Sequence, residues 1–504
     1  MIMNWSLIRY VYGLLLIVES FFLGLSTAVA VYYHYTLGEN DWIALLLTTV
    51  VSIIFGWILM RTGKHYSSRN ISTREGFFVV ATVWILFTII GMIPYLLAGT
   101  CRTLTDAFLE AMSGFTTTGC TIIMDLESQP HGILFWRGLT QWLGGLGIVV
   151  ISMALLPLIG TGATQIFGAE TNGLRMDKLR PKITDTAQRL FGIYVVFSII
   201  NVLFYALGPM SWYDAIVHTF STMASGGFGT HSENIGFFHS RYIEYVCIVF
   251  TFITSVNFNL YYFFGKGKWN NFWKDEEFRW FFFIVLGFTG LFMVMNSLTA
   301  SSDSTSAMQL AALGDGSLEC NFRTSLFHTL SIVSSAGFQS EYYDYALWGS
   351  IFWLPTLLLM VMGGCSGSTA GGLKVIRFVV LIKNTKNEFL QILHPHTYTS
   401  VRIKGQSLSS EAVHKILAMI FIYLIILIVS IFVLQCLGLD FVTSIGTSVS
   451  ALGNTGPALG ATGPSFTWAA LPDLAKWFLS FEMLVGRLEI FTVIIIFTKM
   501  FWKK

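Results

Sequence analysis

Four short stretches decide the architecture of this chain: TTTGCT (116–121), ASGGFGT (224–230), SSAGFQS (334–340) and GNTGPAL (453–459). Each contains a glycine, and these glycines recur about every 110 residues, which indicates an internal repeat. A serine stands six positions before each of them. The glycines are Gly119, Gly227, Gly337 and Gly456, and the serines are Ser113, Ser221, Ser331 and Ser450. The sequence therefore predicts four copies of one structural unit.

Apolar residues ahead of each glycine indicate a short amphipathic helix. In the first copy they are Phe108, Met112 and Phe115, and the other copies keep the same positions. Intervals of four and three residues lie on one face of a helix. The helices are predicted near 104–115, 212–223, 322–333 and 441–452. They are too short to cross a bilayer, so we expect re-entrant segments.

The composition points to a membrane protein. Of 504 residues, 54% are hydrophobic and 12% are charged, whereas soluble domains contain about 25% charged residues. Apolar runs predict about ten transmembrane helices. They lie near 8–34, 41–60, 76–98, 138–161, 190–208, 242–264, 279–297, 347–365, 413–437 and 476–498. The predicted fold is an all-α polytopic membrane protein.

The distribution of Lys and Arg orients the chain. With the N-terminus inside, most basic residues fall in inner loops, for example Lys64 and Arg69 or Arg175, Lys178 and Arg180. Six fall elsewhere: Arg102, Arg137, Arg241, Arg323, Lys476 and Arg487. Both termini are then cytoplasmic.

One spanning helix precedes each short helix and one follows it, so all four repeats share one orientation. Parallel units can close around a single axis, whereas inverted repeats need an odd number of crossings each. We predict an N-terminal helix pair and four helix–pore-loop–helix repeats around one pore. Their ranges are 1–70 for the pair, then 71–165, 185–266, 276–390 and 410–504.

The glycine stretches suit a cation path. Glycine permits backbone angles that bring carbonyl groups toward an axis, and the C-terminal end of each short helix points its negative dipole there. Rings of carbonyls replace the water shell of a cation. The alternative is that these Gly and Ser residues mark ordinary helix contacts within the membrane.

Two further features stand within predicted spans. The stretch GGCSGSTAGGLK (363–374) is too rich in glycine for a regular helix, and irregular backbone at membrane depth lines a cavity or is buried. It predicts a flexible loop, with a tight helix crossing as the alternative; Arg377, just after it, is interpreted as an inner-surface anchor. Arg487 lies within the last span, where an Arg faces a cavity or a partner.

Enzyme chemistry is not indicated. The chain has no GxxxxGK[ST] motif, no Ser/His/Asp grouping and no paired carboxylates. Six cysteines are widely spaced and read as packing residues, with a Cys101–Cys320 disulfide left open. We predict no enzyme activity and no bound cofactor.

Several stretches resemble the TrkH/TrkG/KtrB superfamily of potassium transport proteins. They are SGFTTTG (113–119), QWLGGLGIVV (141–150), SGGFGTH (225–231), VNFNLYY (256–262), GGCSGSTAGGLKVIR (363–377), GNTGP (453–457) and LVGRLEIFTVI (484–494). The two spans ahead of the first repeat resemble the TrkH branch. The resemblance implies a potassium uptake subunit of the bacterial inner membrane, a homodimer, and a cytosolic nucleotide-binding regulator of the TrkA type.

The resemblance also implies roles for individual residues. Potassium would be coordinated by backbone carbonyls of Thr117, Thr118, Gly119, Ser225, Gly226, Gly227, Ser335, Ala336, Gly337, Asn454, Thr455 and Gly456. The gate would comprise Ser366, Gly367, Ser368, Thr369, Ala370, Gly371 and Lys374. Arg487 would be a positive barrier below the filter, for which the alternative is a structural ion pair.

Two rival functions remain open. A symporter that couples K⁺ to Na⁺ or H⁺ would need a buried acid along the path, and the spans contain few: Glu19, Glu110, Glu482 and Glu489. A non-conducting receptor or scaffold would fail to rescue growth of a K⁺-uptake-deficient strain at low K⁺.

Overall fold

The computed structural model describes residues 3–63, 73–145, 147, 183–267, 269–300, 317–340, 349–396, 400–403 and 405–503. This part of the chain is mainly helical, with one antiparallel pair of short strands, β1 (Arg402–Ile403) and β2 (Gln406–Ser407). The basic residues Lys64, Arg69, Arg175, Lys178 and Arg180, and the second half of the predicted span 138–161, lie outside the described residues.

A tightly packed helix pair opens the chain. Helix α1 (Trp5–Leu37) is followed by α2 (Trp42–Gly63), and Gly38 ends α1 in the left-handed conformation with φ +79°. A β-carbon on Gly13 would lie 2.5 Å from the carbonyl oxygen of Gly56, and one on Gly63 would lie 2.6 Å from that of Ser6. Small residues at these crossings let the two backbones touch.

The four predicted repeats follow in order. The first contains α3 (Thr73–Gly91), α4 (Ile93–Leu97), α5 (Leu104–Phe115) and α6 (His131–Gly145). The second contains α7 (Ile183–Ala206), α8 (Trp212–Ala224), α9 (Arg241–Ser255) and α10 (Phe258–Gly265). After α11 (Asn270–Lys274), the third contains α12 (Glu276–Ala300), α13 (Leu318–Val333), α14 (Trp353–Met362) and α15 (Val375–Leu393). The fourth contains α16 (Ser410–Cys436), α17 (Phe441–Gly453), α18 (Asp473–Arg487), α19 (Phe491–Ile494) and α20 (Lys499–Trp502).

The four short helices α5, α8, α13 and α17 begin in the same way. A polar side chain just before each helix accepts a hydrogen bond from a backbone N–H in its first turn, as Thr103 does from Asp106 at 3.1 Å. Ser211, Ser317 and Asp440 cap the other three. Such caps satisfy donors that the helix leaves open. They explain why α13 begins at Leu318, ahead of the predicted 322.

Several predicted spans are broken rather than continuous. Among the described residues, six helices are long and apolar enough to cross a membrane, and the pair α9 and α10, bent by 97°, makes a seventh. The third repeat's second span stops at Met362, and the fourth repeat's stops at Arg487. Within the described residues, breaks therefore occur in the second span of the second, third and fourth repeats, where the sequence predicted one in the third alone.

Buried charges join neighbouring repeats. Lys476 of the fourth pairs with Asp106 of the first at 2.6 Å, and Arg323 of the third pairs with Glu244 of the second. Since each cation has its carboxylate, these exceptions to the positive-inside pattern need no exposure to water.

The interpretation of Arg377 needs correction, and the open question of a Cys101–Cys320 disulfide is answered. Arg377 is not an anchor at the inner surface: its side chain is buried and pairs with Glu489 at 2.6 Å, which joins the third repeat to the fourth. Cys101 and Cys320 are both buried free thiols, so they form no disulfide.

Candidate cation site at the four glycine loops

The four glycine stretches, here called loop 1 (116–121), loop 2 (224–230), loop 3 (334–340) and loop 4 (453–459), touch one another in a ring. A β-carbon added to the glycine of one loop would overlap a carbonyl oxygen of the next. The pairs are Gly119 with Gly226, Gly227 with Ala336, Gly337 with Thr455, and Gly456 with Thr118. Because loop 4 returns to loop 1, the ring closes, and any side chain at these glycines would force it open.

All four loops share one backbone conformation. The residue two positions before each glycine has a positive φ: Thr117 +54°, Ser225 +55°, Ser335 +56° and Asn454 +54°. The glycines follow with φ of +86°, +81°, +64° and +92°. The four loops therefore share their backbone turn, and rings of backbone carbonyls are what cation filters use. A non-glycine residue at positive φ is unfavourable, so its recurrence in all four loops shows that the surroundings impose it.

The repeated serine supports the loop that follows it. Ser113 donates to the carbonyl oxygen of Cys120 at 2.6 Å, Ser331 to that of Phe338 at 2.7 Å, and Ser450 to that of Gly456 at 2.9 Å. Each bond ties the short helix to the loop at its glycine or one residue beyond it. The serine spacing seen in the sequence thus has a structural cause.

Loop 2 is supported differently. Ser221 donates to the Oε1 of Gln141 at 2.7 Å, and the amide of Gln141 donates to the carbonyl oxygen of Gly226 at 2.6 Å. Phe228 N–H also donates to that Oε1, at 3.1 Å. Sequence reasoning missed Gln141, although it lies in the quoted stretch QWLGGLG.

One cavity borders the ring. Its lining includes all four glycines, together with Arg137, His231 and Gln339 among others. Arg137 pairs with the buried carboxylate of Glu110 at 2.6 Å and lies over the ring of Phe228. It also donates to the carbonyl oxygen of Gly229 at 3.0 Å, which ties the first repeat to loop 2.

Residues 363–374, here called the inner segment, pack against the other end of the ring. Thr369 Oγ1 lies 3.0 Å from the hydroxyl of Ser225 in loop 2. Gly371 N–H donates to Ser335 Oγ of loop 3 at 2.5 Å, and Gly372 N–H donates to Gly453 O of loop 4 at 3.0 Å. Three of the four loops therefore contact the segment directly.

The inner segment also fits into the break between α9 and α10. Cys365 N–H donates to Ser255 O at 2.9 Å, and Phe258 N–H donates to Gly367 O at 3.0 Å. Gly363, Gly367 and Gly372 have φ near +70°. Lys374 shares that left-handed conformation, and its ammonium donates to the carbonyl oxygen of Ala370. The predicted loop is thus a compact, hydrogen-bonded turn.

Arg487 links the inner segment to the first repeat. Its guanidinium donates to Thr369 O at 3.0 Å and to the carbonyl oxygens of Gly144 and Gly145 at 2.5 and 2.8 Å. The latter two lie at the end of α6, where the helix dipole is negative. A positive charge therefore lies directly below the ring, bound to carbonyl groups.

The four acids that the sequence places within predicted spans fall into two classes. Glu110 and Glu489 are in ion pairs with Arg137 and Arg377. The carboxyl oxygens of Glu19 and Glu482 are buried without a hydrogen-bond partner among the described residues.

The inner segment and Arg487 are here together called the inner constriction. A ring of backbone carbonyls between the cavity and this charged constriction defines a membrane protein built for moving cations. Comparison with known proteins agrees. The family model of TrkH cation transport proteins matches residues 44–504. The chain is 34% identical over 508 residues to the Trk system potassium uptake protein TrkH of Halomonas elongata, and 34% identical over 507 residues to that of Escherichia coli K12, each covering all of both chains.

A solved structure gives the same result. The crystal structure of the potassium transporter TrkH from Vibrio parahaemolyticus matches 99% of this chain and 100% of that one, with a TM-score of 0.84 and 31% identity. The chain belongs to the TrkH family of cation transport proteins. The predicted family, the predicted helical membrane fold and the prediction of a transport protein rather than an enzyme are confirmed.

Proposed function

We propose that this protein takes up potassium through one channel-like pore. The relatives are named as potassium uptake proteins. The observation that carries the proposal is the closed ring of four loops, whose glycines all line one cavity. K⁺ sheds its water at the ring, passes below it and leaves when the inner segment moves. The membrane potential drives entry with about 2.3 kcal/mol per charge per 100 mV.

The filter is assigned to three residues of each loop. The shared backbone conformation supports this, because side chains differ among the loops while the φ pattern does not. The residues are Thr117, Thr118 and Gly119; Ser225, Gly226 and Gly227; Ser335, Ala336 and Gly337; and Asn454, Thr455 and Gly456. Without the TVGYG sequence of tetrameric potassium channels, we expect a moderate preference for K⁺ over Na⁺.

The gate is assigned to residues 366–371 with Lys374, and the barrier to Arg487. Contacts of the inner segment with loops 2, 3 and 4 support this assignment, since a segment so close to the ring obstructs the path. The carbonyl contacts of Arg487 hold a positive charge beside the inner segment, where this charge lowers cation occupancy.

The setting and partners follow from less direct observations. We infer the inner membrane of a bacterium with both termini cytoplasmic, from the basic inner loops. We further infer a homodimer and a cytosolic nucleotide-binding regulator of the TrkA type. Helix α15 continues directly from the gate and exposes Phe389, Ile392 and Leu393 at its far end, which offers a partner surface coupled to the gate.

The test is ⁸⁶Rb⁺ uptake into proteoliposomes with competing K⁺ or Na⁺. Uptake that K⁺ suppresses more strongly than Na⁺, and that follows an imposed potential, supports the proposal. Absence of uptake by folded protein, together with failure to rescue a K⁺-uptake-deficient strain, would instead favour a non-conducting receptor.

Symport is the second candidate, and Glu482 favours it. Its buried carboxyl faces the hydroxyls of Ser430 and Ser448, and neither carboxyl oxygen makes a well-formed hydrogen bond in the described part of the chain. A K⁺ flux that reverses at the K⁺ Nernst potential alone argues against coupling. A reversal that shifts with the Na⁺ or H⁺ gradient in the wild type, but not in Glu482→Gln, would establish it.

A further inference from the structure

Three consecutive acids at the start of α12 make three different contacts. Asp275 caps the helix, accepting from Phe278 N–H at 3.0 Å. Glu276 pairs with Lys383 of α15, the helix that follows the inner segment. Glu277 accepts a hydrogen bond from Ser366 N–H, within the inner segment itself, at 2.6 Å. One short stretch of chain therefore reaches both the segment and the helix attached to its far end.

The Glu277 contact is buried and charge-assisted. Its side chain is 5% exposed, and a carboxylate binds a backbone N–H about twice as strongly as a neutral acceptor does. Glycines and small residues make up much of the inner segment, so its own side chains provide little packing to hold it in place. Glu277 also lies close enough to Lys374, at the other end of the segment, for their charges to interact.

The direction of this contact distinguishes it from the others. Loops 2, 3 and 4 and the α9–α10 break hold the segment from within the pore region. Glu277 holds it from the N-terminal end of α12, next to the short helix α11. Trp269, just before α11, and Trp273, within it, are more than half exposed. The junction of α11 and α12, residues 270–277, is here called the α11–α12 elbow. A displacement of this elbow would therefore pull on the inner segment.

We propose that Glu277 is a positioning residue that anchors the inner segment in its closed arrangement and couples it to the α11–α12 elbow. This rests on the proposed gate. Loss of the anchor frees Ser366 N–H and lets the segment leave the ring more often, while the filter carbonyls keep their geometry. Open probability then rises without a change in ion preference.

The experiment compares Glu277→Ala and Glu277→Gln with the wild type in proteoliposomes and planar bilayers, without any regulator. We expect ⁸⁶Rb⁺ flux to rise about tenfold for Glu277→Ala, within the usual range of coupling effects, and less for Glu277→Gln. The K⁺ to Na⁺ permeability ratio should not change. Glu411→Gln removes the same charge at an exposed i,i+4 pair with Lys415, and it should behave as the wild type.

Cys365 provides a second readout, because it is a buried free thiol in the inner segment. Its labelling by a small methanethiosulfonate reagent, measured by peptide mass spectrometry, should accelerate in Glu277→Ala. Labelling of Cys247, buried in α9, should not accelerate, which separates segment release from general unfolding.

A variant lacking residues 367–369 separates the two proposals. If this deletion raises flux while Glu277→Ala changes neither flux nor Cys365 labelling, the anchor is wrong and the gate stands. If the deletion also leaves flux unchanged in folded protein, the proposed gate itself is wrong. Faster labelling of Cys247 and Cys365 together would likewise overturn the anchor, since it would report unfolding.

Discussion

The outer ring and the inner constriction are built on opposite plans. In the ring, four loops with different sequences adopt one backbone conformation, with φ within a few degrees at Thr117, Ser225, Ser335 and Asn454. Below it, in the described residues, three repeats differ from one another: the second has a bend, the third has the inner segment, and the fourth supplies Arg487. The ring uses backbone atoms in four-fold repetition, whereas the constriction uses individual side chains once each.

This difference predicts where substitutions act. Backbone carbonyls tolerate changes of side chain but not of conformation, so ion preference should depend on the glycines. Side-chain contacts below the ring can change without moving those carbonyls. Substitutions there should therefore alter the ion flux and leave the ion preference unchanged. A glycine substitution in the ring that leaves ion preference unchanged would contradict this difference, and so would a substitution in the constriction that changes ion preference.

The largest effect is expected at the ring. Gly227→Ser places a side chain at φ +81° and against the carbonyl oxygen of Ala336, so the moderate preference for K⁺ over Na⁺ should be almost abolished. Bi-ionic reversal potentials measure it. Gly99→Ser is the matched control: it has φ +75° with open space around it. A normal permeability ratio in Gly227→Ser would contradict the filter assignment.

The next effect concerns stability. Arg323→Met leaves the buried carboxylate of Glu244 without its cation, and breaking such a pair costs about 3–5 kcal/mol. The thermal unfolding midpoint in detergent should drop clearly, while the permeability ratio of the surviving protein stays normal. Arg241→Met, which removes an exposed partner 3.7 Å from Glu319, should shift the midpoint little. Equal shifts in both variants would count against a role for burial.

Arg487→Ala tests the constriction. It removes a positive charge and three carbonyl contacts below the ring, so ⁸⁶Rb⁺ flux should rise severalfold with an unchanged permeability ratio. Arg102→Ala, at an exposed outer site, serves as the charge-matched control. Unchanged or reduced flux in well-folded Arg487→Ala would show that Arg487 is not a barrier to cations.

The smallest effect is expected at the outer mouth. Burial raises the pKa of Glu127, but the hydroxyl and N–H of Ser232 outweigh this and leave it below its ordinary 4.5. A lowered folded-state pKa stabilises above pH 4.5, and the contribution is lost as pH falls through the lower value. Glu127→Gln should reduce stability by about 0–1 kcal/mol at pH 7 and by less in acid. A larger loss in acid than at pH 7 would reverse the assigned sign.

Much of the ring was predictable from the sequence, because repetition is visible without tertiary information. The glycines, the serine spacing and the apolar faces recur in all four copies. Their physical causes were not visible: Ser113 bonds to Cys120 across the turn, whereas Ser221 bonds instead to Gln141, far away in the chain.

The constriction was less predictable because its parts occur once. The third repeat carries the densest glycine cluster, with five glycines in residues 363–374, and only its break was foreseen. The break after Ser255 depends on Asn257, which caps α10 by accepting from Asn259 N–H, and the break after Arg487 on Glu489 and Ile490 at positive φ. The Arg377–Glu489 pair joins residues more than a hundred positions apart, a contact that no local pattern indicates.

The central claim is that four unequal loops form one filter. Its most direct test is the K⁺ to Na⁺ permeability ratio of four single variants: Gly119→Ser, Gly227→Ser, Gly337→Ser and Gly456→Ser. Since each glycine contacts a carbonyl of the next loop, the ratio should fall in all four. A folded, conducting variant that keeps the wild-type ratio would show that its loop lies outside the filter and would contradict the ring.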